Sequence, residues 1–163
     1  LRSGAQPGDL VAVAGTLGRS AAGLVLLQKQ RAELGPELVA AQRRPQPPLA
    51  EGPVAAIAGA RGMLDISDGL LRDGSRVASA SAVALDFSRE ALAPYAAQLA
   101  NAVGPDTAWE CVLSGGEEHS LLACFPPGQV PTAWTVIGAV REGAGVLLDG
   151  IPQLPGGWDH FRA

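Results

Sequence analysis

Pro7-Gly8-Asp9-Leu10-Val11-Ala12-Val13-Ala14-Gly15-Thr16-Leu17-Gly18-Arg19-Ser20 decides the fold class. Pro7-Gly8-Asp9 is a turn, and the Val-rich apolar run that follows, closed by Gly15, has the length and composition of a buried strand. Gly15 and Gly18 then make a tight connection into residues 21–34, where Leu24, Leu27 and Leu34 recur at helical spacing and Gly35-Pro36 is a stop signal. A strand feeding a helix through a glycine turn is a building unit of α/β architecture. The turn is not a nucleotide loop of a known pattern. A Walker loop needs four residues between its glycines and a Lys before the Ser or Thr, and the three-glycine dinucleotide fingerprint is also absent.

Working outward, residues 43–53 are proline-rich, and proline removes a backbone donor and fixes φ, so a surface loop is expected there. Residues 54–61 are Ala-rich and predict a helix that leads into Met63-Leu64-Asp65-Ile66. The spacing of Leu70, Leu71, Val77 and Ala78 predicts a helix starting at Ser67 or Asp68, with Arg72, Asp73 and Arg76 on its polar face. Residues 83–87 read as a strand and 90–103 as a helix. Residues 108–125 read as two strands broken at Ser114-Gly115-Gly116 and closed by Pro126-Pro127-Gly128. Residues 134–140 and 145–148 read as two short strands joined by a Glu142-Gly143 turn. The expectation is an α/β (α+β) fold, a mixed β-sheet packed with helices, forming a single domain over residues 1–163 with no internal repeat.

Composition narrows the function classes. Hydrophobic residues are 47% and charged residues 17% of 163, with mean hydropathy +0.18, which suits a compact globular chain and excludes disorder as its main state. No apolar run reaches the roughly 18 residues of a membrane span. A net charge of −4 and a pI near 5.1 offer no broad basic face to nucleic acid or anionic lipid. Cys111 and Cys124 read as reduced thiols of a cytoplasmic protein. The chain opens on Leu1, and Met63 is its one methionine, so residues 1–163 are expected to be part of a longer protein.

Two segments could carry chemistry. In Asp65-Ile66-Ser67-Asp68-Gly69, a helix starting near Ser67 would set two carboxylates and a hydroxyl around its first turn. Hard oxygen donors of this kind suit Mg²⁺, which joins one or two protein carboxylates to substrate phosphates. The same residues also fit a helix cap beside a solvated turn acid. In Ser114-Gly115-Gly116-Glu117-Glu118, a double glycine sets two acids at a fixed rim, or makes a plain hairpin turn with exposed glutamates. Three further features stay open. His119 is a base or a satisfied structural residue, Arg43-Arg44 a phosphate clamp or a solvated pair, and Trp158 a stacking platform or a tail aromatic.

Taken in order, Arg2-Ser3-Gly4-Ala5 with Pro7-Gly8-Asp9, Gly15-Thr16-Leu17-Gly18, Arg44-Pro45, Asp65-Ile66-Ser67-Asp68-Gly69-Leu70, Ser114-Gly115-Gly116-Glu117 and Gly157-Trp158-Asp159-His160-Phe161 resemble the C-terminal half of thiamine-monophosphate kinases. Order and spacing separate this family from its relatives, the aminoimidazole ribonucleotide (AIR) and selenophosphate synthetases. The resemblance implies an AIR synthetase-related C-terminal domain fold, with the N-terminal ATP-binding domain lying outside residues 1–163. It implies an enzyme that uses ATP and Mg²⁺ to convert thiamine monophosphate to thiamine diphosphate, a cytoplasmic homodimer at full length. By the same likeness Asp65 and Asp68 are metal ligands, Ser67 contacts the ATP phosphates, Glu117 holds the substrate and Trp158 stacks near its rings. Residues 1–163 are then expected to fold without turning over alone.

The family commonly has His where Gln42 stands and Asp where Glu118 stands. The choice of Glu117 over Glu118 rests on its position directly after the two glycines. Two other classes remain compatible with the residues: a related ATP-dependent synthetase, and a non-catalytic ligand-binding module.

Overall fold

The computed structural model describes residues 1–154. In chain order come β1 (Leu10–Ala14), α1 (Arg19–Gln28), α2 (Pro36–Arg43), α3 (Glu51–Ile57), β2 (Gly62–Ile66), α4 (Leu70–Ser81) and β3 (Ala84–Phe87). After them follow α5 (Arg89–Val103), α6 (Pro105–Ser114), β4 (Ser120–Phe125), β5 (Thr135–Arg141), β6 (Gly145–Leu148) and β7 (Ile151–Gln153). The strands form one sheet in the order β2-β4-β1-β5-β3-β6-β7. Every pairing is antiparallel except β3 with β6, so the sheet is mixed, as the sequence predicts.

The period of two along each strand sorts the core into two layers. Val11 and Val13 of β1, Leu122 and Cys124 of β4, and Leu64 and Ile66 of β2 join the large cluster under α1, α2, α4, α5 and α6. Their alternates Ala12, Ala14, Ala123 and Phe125 face the other way, against Ala55 of α3 and Trp134, whose ring meets Phe125 edge to face at 5.1 Å. Small residues on that second face let α3 lie close. Asp65, between Leu64 and Ile66, therefore sits on the thinner side of the sheet at its β2 edge.

Several expectations are corrected by tertiary contacts. The helix expected over 21–34 stops at Gln28, where Gln30 turns to φ 55, and a short 3-10 turn over Ala32–Leu34 follows. Gly35-Pro36 does not end a helix. It starts α2, with Pro36 in the first turn where its missing N–H costs nothing. The buried face of α1 is Ser20, Ala22, Gly23 and Leu26, while Leu24 and Leu34 stay exposed. The proline-rich stretch is a loop only over residues 44–50, because α2 reaches Arg43 and α3 takes Pro53 into its first turn.

The strand expected from residue 108 is instead α6, which opens at Gly104-Pro105-Asp106, a start signal obscured by its apolar second half. Ser114-Gly115-Gly116 thus joins a helix to β4 and is not a hairpin. Residues 135–141 and 145–148 are strands, but they do not pair with each other: β5 and β6 lie on opposite sides of β3. α4 begins at Leu70, later than expected. Asp73 belongs to its buried side at 1% exposure, not to its polar face.

Candidate functional site

The three glycine-bearing segments of the sequence meet in space. α1 has no side-chain cap from its neighbour Gly18. Its first turn is served instead by Glu118, whose carboxylate accepts the Ser20 N–H at 2.9 Å and the Thr16 hydroxyl. Ser120 Oγ closes the same turn, accepting the Thr16 N–H at 2.9 Å and donating to the Thr16 carbonyl at 2.7 Å. Ser20 Oγ donates to Gln42 at 2.6 Å, which ties α2 to the assembly. Glu118 is 7% exposed, so its negative charge is spent on holding the fold.

Residues 65–69 and 114–119 interlock through their backbones. The Glu117 N–H donates to the Ser67 carbonyl at 2.8 Å and the His119 N–H to the Ile66 carbonyl at 2.9 Å. A Cβ at Gly69, whose φ is +114, would fall 2.6 Å from the Ser114 carbonyl oxygen, and one at Gly116 would fall 2.4 Å from that of Ser67. Neither position admits a side chain without separating the two loops. Glu117 at φ 61 and His119 at φ 54 adopt left-handed backbone that costs non-glycine residues about 1–3 kcal/mol each. The interlock holds that strain in place.

Asp73 anchors the first loop from α4. One of its oxygens accepts the backbone N–H groups of Ser67 at 2.9 Å and Asp68 at 2.7 Å, while the other accepts from Arg76 Nη1. Arg76 Nη2 reaches Asp68 Oδ2 at 2.5 Å, so one guanidinium clamps two carboxylates. The hydrogen bond to Asp68, more than the added pull of Asp73, raises the Arg76 pKa above its ordinary value. Sequence reasoning missed Asp73 and Arg76 as site residues. The signal available was an acid four residues after Gly69, able to reach back to the amides ahead of a helix.

The expected residues fall as follows. Asp65, Ser67, Asp68 and Glu117 come together at the edge formed by the two loops. His119 links two of them, with Nδ1 at 3.2 Å from Asp65 Oδ2 and Nε2 at 3.7 Å from Glu117 Oε2. Asp65 and Asp68 are not on one helical turn, as expected, but on the last part of β2 and the bend after it. Glu117 stays solvent-facing while Glu118 is engaged, so Glu117 is the acid available to a ligand. Trp158 lies outside the described residues. Among the described residues no group of three or more His, Cys, Asp or Glu side chains stands in metal-holding geometry.

Glu117 also marks the rim of a cleft of about 850 Å³ between the 15–20 turn and α2, lined by Thr16, Arg19, Val39, Arg43 and Arg44. That volume suits a drug-sized organic ligand. The two cysteines take no part. Cys111 and Cys124 are buried free thiols, pushed up to about 11 and about 12, in both cases chiefly by burial. Neither is a nucleophile at neutral pH. Among the described residues no helix is long and apolar enough to cross a membrane.

No family model matches the chain. Individual proteins do. Thiamine-monophosphate kinase of Mycobacterium tuberculosis is 48% identical over 99% of this chain and 49% of its own length. That of Aquifex aeolicus is 39% identical over 98% of the chain and 54% of its own length. Among solved structures, AaThiL complexed with AMPPCP and TMP superposes with a TM-score of 0.85 at 36% identity, covering 98% of this chain and 53% of that one. The hydrogenase maturation protein HypE, at TM-score 0.64 and 13% identity, shares the fold. The chain spans about half the length of the curated relatives it matches.

Proposed function

We propose that residues 1–163 form the C-terminal half of a thiamine-monophosphate kinase, supplying half of a site that transfers the γ-phosphoryl group of ATP to thiamine monophosphate. The observation that carries the reading is the interlock of residues 65–69 with 114–119, which brings the expected phosphate-side and substrate-side residues to one edge. Identity of 48% to a thiamine-monophosphate kinase over nearly the whole chain supports it, as does likeness to a structure holding an ATP analogue and the acceptor together.

The donors at this edge fit Mg²⁺. Asp65 and Asp68 offer hard carboxylate oxygens with no thiolate nearby, and an octahedral cation that keeps several waters needs only one or two of them. Bound there, Mg²⁺ supplies charge neutralisation for the transferring phosphoryl oxygens. The protein residues do the positioning. Asp73 fixes the backbone of Ser67 and Asp68, Arg76 holds the Asp68 carboxylate, and Ser67, so anchored, would contact the ATP phosphates. Glu117 presents a carboxylate suited to a ligand with an amino group and a cationic ring, and Trp158 stacks on that ring. Phosphoryl transfer needs alignment and charge neutralisation more than covalent help, which matches a site built from anchored loops. On this proposal the remaining ligands come from an N-terminal ATP-binding domain of a longer protein that acts as a cytoplasmic homodimer.

The test is a tryptophan-fluorescence titration of the 163-residue chain with thiamine monophosphate, with and without Mg²⁺. Saturable, metal-dependent quenching that is lost in Trp158→Ala and Asp68→Asn is the expected result. Quenching that is indifferent to metal and to both substitutions contradicts the reading and favours a plain ligand-binding module.

A further inference from the structure

The arginines of this acidic chain are not used evenly. Arg31, Arg61, Arg76 and Arg141 each pair with a carboxylate, Arg89 stacks over Trp109 at 4.5 Å, and Arg72 is engaged as well. Among the described residues the guanidinium groups of Arg2, Arg19, Arg43 and Arg44 have no such partner. Three of these four, Arg19, Arg43 and Arg44, line the same 850 Å³ cleft. They come from two elements, the first residue of α1 and the last residue of α2 with its cap, so local sequence does not explain their convergence.

The cleft also carries three acids, Glu37, Glu117 and Glu118, but among the described residues none of them forms an ion pair with these arginines. Glu118 is occupied by Thr16 and Ser20, Glu117 lies beside His119, and Glu37 forms no ion pair among the described residues. In a protein of net charge −4, where carboxylates outnumber cations, three guanidinium groups left open in one concavity mark a place for an anion. Donor geometry selects its kind: three guanidinium forks offer more donors than the two oxygens of a carboxylate accept, and suit the three oxygens of a phosphate monoester. The volume and the apolar wall of Val39, Ala40 and Ala41 call for an organic body attached to it.

We propose that the cleft between the 15–20 turn and α2 is a binding site for a phosphate-bearing organic ligand, with Arg19, Arg43 and Arg44 holding the phosphate. It adjoins the Asp65 and Asp68 edge through Glu117, which stands at the rim of both, but neither aspartate lines the cleft, and the three arginines hold the phosphate without the metal that the kinase reading requires.

The test is calorimetric titration of the 163-residue chain with inorganic pyrophosphate in EDTA, so that metal plays no part. Binding is expected to be saturable and to weaken with salt. It should fall by at least about tenfold in Arg43→Gln/Arg44→Gln and in Arg19→Gln, as loss of charge-assisted hydrogen bonds dictates, and stay unchanged in Arg31→Gln, which removes the same charge elsewhere. Far-UV circular dichroism verifies folding of these surface variants. Binding lost equally in Arg31→Gln, or matched by citrate, overturns the site as a phosphate site. Binding lost in Asp68→Asn but kept in the cleft variants also overturns it, by assigning the anion to the edge of the kinase reading. No saturable binding by the unaltered chain overturns it outright while leaving the metal-dependent titration of that reading untouched.

Discussion

Removing the Asp73 carboxylate should cost more than any other single polar change in the described chain. Asp73→Ala strips the acceptor from two backbone N–H groups, at 2.9 and 2.7 Å, and leaves Arg76 with Asp68 alone. A hydrogen bond to a charged group contributes about 1.5–3 kcal/mol, and two are lost at a site 1% exposed. The Arg76 side chain is 36% exposed, so water compensates much of its loss and it adds no more than about 1 kcal/mol. The sum, about 3–5 kcal/mol after the freed amides find some water, is a large share of the 5–15 kcal/mol that holds a typical domain. Asp73→Asn keeps an acceptor for the loop amides but turns a donor toward Arg76, so it should cost about half as much. Urea unfolding followed by far-UV circular dichroism reads both, with Glu142→Ala as an exposed control. A loss below about 1 kcal/mol for Asp73→Ala would refute the anchoring role, because the loop would then be held by something else.

Other consequences follow from the same geometry. Glu118→Gln should destabilise by about 1–3 kcal/mol through the lost charge at the start of α1, whereas Glu117→Gln should stay within about 0.5 kcal/mol in the same assay. Gly116→Ala should destabilise by several kcal/mol, since its Cβ would sit 2.4 Å from the Ser67 carbonyl, and Gly116→Ala with wild-type stability in urea would contradict the interlock. Both cysteines should resist a thiol reagent at pH 8 in the native chain and react on unfolding. Burial raises both thiols above the ordinary thiol value of 9.0, so the unfolded state releases protons first and stability should fall as pH rises from about 9 toward 11. A flat stability profile across that window contradicts the burial of both thiols.

The parts of this fold that sequence made legible are those whose signal is local. β1 and its glycine turn, β3 and α5 stand where the apolar run, the period and the flanking breakers put them. What was hidden is what distant residues decide. The cap of α1 comes from Glu118, 98 residues away, and no local pattern names it. The partners of β5 and β6 depend on β3 arriving between them, which strand propensity does not encode. α6 runs against its local signal: Trp109, Cys111, Val112 and Leu113 have strand-like composition, and helical packing against α5 overrides it. In the candidate site the motif acids were legible as chemistry, while Asp73 and Arg76, which hold them, looked like surface residues of an amphipathic helix.

Thiamine diphosphate formation tests most directly whether this chain supplies half of a thiamine-monophosphate kinase site, as proposed. Product would be separated and quantified from ATP, Mg²⁺ and thiamine monophosphate for the chain alone and for the chain joined to an N-terminal half from the Mycobacterium tuberculosis relative. Steady turnover is expected only of the joined protein, reduced at least about a hundredfold by Asp68→Asn and by Glu117→Gln, each the loss of roughly 3 kcal/mol of transition-state stabilisation. A joined, folded protein that makes no thiamine diphosphate would contradict the proposal, as would turnover undiminished by either substitution.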